Sequence, residues 1–332
     1  NRMYVSEVGN DRVSILDITN LGNVTYVGEI NEYPGDIDPI RFSDPHGVGV
    51  DANRIIVADT GHNLVHIFNR DTLGYISSLE SHLSSMGVDD WNRPYDIEVD
   101  ASGWFYISDM NNHRVEQFDP NLVWQRQFGT KGVAYATDNK HFAFPSALAA
   151  DSLGNVYVAE SGAHRIVKLS ASGAPLGSLG AAGIPGADSS HFNTPSGLGV
   201  DASNNLYVAD TNNNRVMVFS SSGSHLTSFG SYGEGEDQFK QPTGVAVKGG
   251  KIYVVDNGNN RVQVFDTAWN YYRTIGNSGS PELDLYMPVD VAVDASGNIY
   301  ITDNGNGRVA KCNLTETDYT CTTLVGELGV FG

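Results

Sequence analysis

The chain of 332 residues carries 39 Asp and Glu against 20 Lys and Arg, a formal net charge of -19. Such a surface repels phosphate backbones and anionic bilayers, and no run of about 18 apolar residues is present to span a membrane. Nucleic acid and direct membrane insertion are therefore excluded at the outset.

In chain order, one local phrase recurs: an apolar strand ending in a carboxylate, a four-residue polar turn, then a basic or apolar residue opening the next apolar strand. The terminal carboxylates are Glu7, Asp59, Asp109, Glu160, Asp210, Asp256 and Asp303, spaced 52, 50, 51, 50, 46 and 47 residues apart. Each is followed four or five residues on by Arg12, Arg114, Arg165, Arg215, Arg261 or Arg308, with Leu64 alone breaking the series. A carboxylate required once per repeat is read as structural, accepting turn N–H groups or pairing with arginine through charge-assisted hydrogen bonds. Ahead of it lies a short alternating strand that follows a proline, such as Pro195 to Asp201 or Pro288 to Asp294. A fourth strand ends near a glycine, as in Leu226 to Gly230. Four strands per unit at a period near fifty predict an all-β chain, a β-propeller of four-stranded antiparallel blades.

The expected divisions are a partial first blade at 1–41, then 42–90, 91–141, 142–191, 192–238, 239–284 and 285–332, forming one seven-bladed domain over 1–332, with a six-bladed ring as the alternative. Three residues before the prolines stand Phe42, Trp91, Phe142, Phe192 and Phe239, with Leu285 at the sixth such place. These are expected to pack between blades. The first blade reads as three strands without its inner one, while Val325 to Phe331 matches the connection that elsewhere leads into that strand. A longer polypeptide, a tolerated gap or a strand donated by another molecule each account for this, the last implying self-association.

The Tyr-Val-Ala-Asp strand at Tyr207 to Asp210, the Asn-x-Arg turn and the Gly…Phe…Pro connection resemble the NHL-repeat family over nearly the whole chain. The resemblance implies the propeller; chemistry differs among propellers of this kind. Pro45-His46-Gly47 further resembles the metal-binding position of the peptidylglycine amidating lyases, whose zinc needs three converging histidines. The equivalent positions here are Tyr95, Ser146, Ser196, Thr243 and Val289, so that ligand set is not met.

The candidate ligand-binding residues are His46, Tyr95, Asp96 and Asp290 near the inner mouth of the ring, with His62, His113 and His164 farther out. No catalytic residue is assigned, and calcium or zinc is kept only as an open cofactor alternative. Cys312 and Cys321, nine residues apart across a hairpin, form either a disulfide or two free buried thiols. Asn23 and Asn313 begin Asn-x-Thr sequons. No Gly-x-Ser-x-Gly elbow, P-loop or His-Glu zinc helix occurs. Together these features predict an acidic, extracellular, cell-surface or periplasmic protein, glycosylated if its source does so. Its expected role is a binding or structural scaffold for a protein, for its own copies or for a basic or cationic ligand. The alternative is a metal-dependent lyase or hydrolase acting on the same face.

Overall fold

The computed structural model describes residues 2–7, 12–17, 25–30, 45–51, 53–69, 75–79, 91–100, 102–129, 141–276, 284–293, 297, 299–303, 305, 308–314 and 318–325. Phe42, Asn23 and the connection at 326–332 lie outside them. The chain divides into two compact units, residues 1–178 and 179–332.

In the first unit, β1 (Arg2–Glu7), β2 (Arg12–Asp17) and β3 (Thr25–Ile30) form a sheet with three strands among the described residues. Three four-stranded sheets follow. They are β4 (Pro45–Val50), β5 (Arg54–Asp59), β6 (Leu64–Asn69) and β7 (Tyr75–Ser78); then β8 (Pro94–Val99), β9 (Phe105–Asp109), β10 (Arg114–Phe118) and β11 (Trp124–Gly129); then β12 (Pro145–Ala150), β13 (Val156–Glu160), β14 (Arg165–Leu169) and β15 (Pro175–Leu179). The second unit contains β16 (Pro195–Val200), β17 (Leu206–Asp210), β18 (Arg215–Phe219) and β19 (His225–Phe229), then β20 (Pro242–Lys248), β21 (Lys251–Asp256), β22 (Arg261–Asp266) and β23 (Tyr271–Ile275). Its third sheet is β24 (Pro288–Val293), β25 (Ile299–Asp303), β26 (Arg308–Leu314) and β27 (Tyr319–Val325). Strand order follows the sequence in every sheet, because short antiparallel hairpins pair neighbours in the chain. The expected propeller class is what forms.

In four of the four-stranded sheets the second strand ends on the repeated carboxylate and the third begins on the arginine directly opposite: Asp109 with Arg114, Glu160 with Arg165, Asp210 with Arg215, Asp256 with Arg261. Each carboxylate is fully buried and does two jobs. In Asp256, Oδ2 accepts Arg261 Nε at 2.7 Å and Oδ1 accepts the main-chain N–H of Lys240 at 2.7 Å. The guanidinium then donates to Glu234 O, Gly235 O and Gln238 O at 2.7, 2.7 and 2.8 Å. The arginine thus fastens the connection ahead of its own sheet, and Arg215 does the same with the carbonyls of Ala187, Asp188 and His191. Buried ions held by charge-assisted and main-chain bonds are tolerated because those bonds replace the hydration lost on burial.

Three of the expected aromatic wedges are buried between consecutive sheets of one unit. Trp91 joins Ile56 and Ile67 of one sheet to Ile107 of the next, Phe142 lies with Val115 and Val158, and Phe239 with Val216 and Val254. Leu285 does the same among Val262 and Ile301. Burying each ring is worth about 2–3 kcal/mol. In the second unit β16 approaches β20 so closely that a Cβ on Gly197 would collide with the carbonyl oxygen of Thr243, which explains glycine there.

Candidate functional site

The leading strands β4, β8 and β12 of the first unit lie side by side. In the last two the residue before the proline is left-handed, φ 56° at Arg93 and 53° at Phe144, and a register shift follows each of the three prolines. A bulge turns the next side chains off the ladder. It therefore presents His46 in β4, Tyr95 and Asp96 in β8, and Ser146 in β12 at the same end of the three strands.

His46 and Tyr95 stack with ring centroids 4.2 Å apart and planes inclined by 23°. Beside Tyr95, Asp96 Oδ1 accepts the N–H of Ile97 at 2.9 Å, and Oδ2 accepts that of Leu148 in β12 at 2.8 Å. Two residues on, Glu98 Oε1 accepts the N–H of Ala150 at 3.1 Å. Two carboxylates of β8 thus satisfy the open edge of β12, where unpaired N–H groups would otherwise need water. Glu98 is half-buried by area, yet protein surrounds it closely. That burial, reinforced by the charges of Asp96 and Asp100, pushes its carboxyl up to about 8.

The residues expected farther out are tied to the fold. His62 Nδ1 lies 2.9 Å from Asp59 Oδ2, and the buried His66 brings Nε2 within 3.4 Å of the same oxygen. Two imidazoles thereby stand where other sheets have an arginine. His113 ends the turn after β9 with φ 56°, and its Nδ1 accepts the N–H of Phe144 at 3.2 Å. His164 holds the corresponding place after β13 with φ 57°. Asp290 follows the proline of β24 in the second unit, its carboxylate close against Gly244 of β20, where burial raises its pKa above the ordinary carboxylate value. The structure therefore joins His46, Tyr95 and Asp96 on adjacent strands, ties His62 to the carboxylate of its own turn and ties His113 to the start of the next sheet.

A three-histidine zinc site does not fit these residues, since Tyr95 and Ser146 occupy the places beside His46, and the Ser146 hydroxyl donates to Ala159 O at 3.4 Å. Among the described residues no group of three or more His, Cys, Asp or Glu side chains is placed to hold a metal ion. Cys312 and Cys321 face each other across β26 and β27 in a disulfide, and Asn313 is exposed beside it. Among the described residues no helix is long and apolar enough to cross a membrane. Sequence reasoning passed over Glu98 and His66. The first was visible as the alternating acids of Tyr95-Asp96-Ile97-Glu98-Val99-Asp100; the second carried no signal, because an isolated histidine in an apolar strand does not reveal its partner.

Residues 4–231 match the SMP-30/Gluconolactonase/LRE-like region family, and 239–265 and 285–312 match the NHL repeat. The chain belongs to the SMP-30/gluconolactonase/LRE-like family, with a propeller fold. A probable peptidyl-alpha-hydroxyglycine alpha-amidating lyase of Caenorhabditis elegans is 25% identical over 118 residues, 35% of this chain and 33% of that protein. The match thus spans about a third of that relative's length. A streptogramin B lyase structure is similar with a TM-score of 0.70 at 13% identity, covering 95% of this chain and 90% of the other. A catalytically inactive virginiamycin B lyase from Staphylococcus aureus, solved with quinupristin, gives 0.68 at 15% identity over 95% and 92%.

Proposed function

We propose that this protein is an extracytoplasmic binding propeller that takes a flat cationic ligand, an amidinium, guanidinium or aromatic amine, along the leading strands of its first unit, from His46, Tyr95 and Asp96 at their start toward Glu98 farther along β8. The observation that carries this reading is the stacked His46–Tyr95 pair with Asp96 beside it and Glu98 farther along the same strand. Aromatic faces and anions together favour a cation with a planar head, through stacking and direct charge pairing. The rigid setting lowers the ordering cost of binding, and the Cys312–Cys321 bond supports an oxidising compartment. A cation seated on Glu98 displaces its proton, so affinity rises with pH toward about 8. Calorimetric titration of benzamidine at pH 6, 7 and 8, in buffers of different ionisation enthalpy, tests this. Proton release on binding that disappears in Glu98→Gln supports the reading, whereas binding indifferent to both Glu98→Gln and Asp96→Asn rejects it.

A second reading, a lyase, is favoured by the same Glu98, since a carboxylate poised near neutral pH is matched to abstracting a proton. The likeness to a streptogramin lyase makes quinupristin the substrate to try. Conversion of quinupristin that is lost in Glu98→Gln would establish this reading over pure binding.

A further inference from the structure

A single bond recurs between consecutive sheets. The side-chain oxygen of a left-handed turn residue accepts the main-chain N–H of the left-handed residue that precedes the next sheet's first proline. Asn63 serves Arg93 at 2.7 Å, Asn214 serves Gln241 at 3.0 Å, and Asn260 serves Met287 at 2.8 Å. Asparagine suits the place twice over, since it tolerates positive φ and its amide oxygen accepts at every pH. In one sheet the acceptor is the imidazole of His113, reaching Phe144 N–H at 3.2 Å, with the two rings edge to face at 4.5 Å.

An imidazole nitrogen accepts only while it carries no proton. The bond to Phe144 therefore fixes His113 as the neutral Nε2–H tautomer. Phe144 leads directly into Pro145 and β12, the strand whose Leu148 and Ala150 N–H groups rest on Asp96 and Glu98. We propose that His113 is a proton-released latch: neutral, it positions the start of β12 against the sheet of β8, and protonated, it lets that wall of the candidate site loosen. Only the consequence for ligand binding rests on the function proposed above; the latch itself stands on the bond.

Protonation would set an N–H of the ring against the N–H of Phe144 and lose the acceptor at a residue held in strained backbone. The charged groups on the two elements that flank the ring are engaged with one another or with the main chain. On its own turn Arg114 pairs with Asp109 and Glu116, at 2.7 and 3.0 Å. On the facing sheet Glu160 takes Arg165 and the N–H of Ala143, and Arg165 also donates to His141 O at 2.8 Å. Burial accordingly lowers the pKa of His113 below that of a free histidine.

Two measurements on the intact chain test the latch. Nitrogen NMR of histidine-labelled protein at pH 7.5 is expected to show His113 Nδ1 unprotonated and hydrogen-bonded; a proton on Nδ1 there overturns the proposal. Amide exchange from pH 7.5 to 5, corrected for intrinsic rates, is expected to lose protection at Phe144 and Leu148, by about tenfold per pH unit below the folded pKa. His113→Asn is expected to keep that protection throughout, as Arg93, held by Asn63, does in the same sample. Equal acid sensitivity in wild type and His113→Asn, or equal insensitivity, refutes it. Because neither readout uses a ligand, failure of the cation-binding function leaves this test intact.

Discussion

His66 places Nε2 3.4 Å from Oδ2 of Asp59, and the pair replaces the carboxylate–arginine bond that Asp109, Glu160, Asp210 and Asp256 make in other sheets. His66 Nδ1 is also 3.1 Å from the Ser78 hydroxyl, so both ring nitrogens are engaged inside the sheet. His66→Ala would leave a fully buried carboxylate short of a partner, and a loss of about 2–4 kcal/mol in denaturant unfolding is expected. His62→Ala, whose ring is 43% exposed, is expected to cost under about 1 kcal/mol. Equal losses from the two substitutions would show that the buried ring is not the compensating group.

Arg261 ties Asp256 to three carbonyls of the preceding connection. Arg261→Ala strands both the carboxylate and those carbonyls, and a destabilisation of about 3–5 kcal/mol follows. Arg261→Lys recovers little, because an ammonium cannot span the same set of acceptors as a planar guanidinium. Thermal unfolding of the two variants, with hydrogen exchange across 231–239, measures both the loss and its location.

The raised carboxyl of Glu98 sets a pH dependence of known sign. The folded state holds a proton that an unfolded glutamate releases near 4.5, so this group's contribution to stability is present below that value and is lost as pH rises through about 8. Glu98→Gln is expected to flatten the decline between pH 5 and 8 and to gain on wild type at the alkaline end. Urea unfolding at half-unit steps of pH measures the slope; an unchanged slope in the variant would assign the dependence to other groups.

The Cys312–Cys321 bond closes a loop across β26 and β27 at a sequence separation of 9. Loop-closure entropy for a ring of this size gives about 2–3 kcal/mol. Reduction, or the double change to serine, is expected to lower unfolding stability by that amount and to speed exchange of the paired amides Lys311 and Thr322, with no effect on the third sheet of the first unit.

Strand limits were unusually legible. Each proline marks where a leading strand begins, each carboxylate where the second strand stops, and each arginine where the third opens, because these residues perform a job every sheet requires. His46 and Tyr95 are legible as candidates from the position they share behind the proline of their strands, and Asp96 is the next residue along. What could not be read was which histidines were already committed. The partner of His113 is 31 residues away and that of Asp96 is 52 residues away, in both cases in the next sheet.

The sequence by itself determined the repeat, the four-stranded sheets and the identity of the buried ion pairs, since periodic chemistry in a chain reports periodic local structure. Tertiary structure alone decided that Asp96 and Glu98 cap the edge of β12, that His46 lies on Tyr95, and that His113 does the work asparagine does elsewhere. Those relationships arise from the packing of one sheet on the next, which brings together residues about one repeat apart.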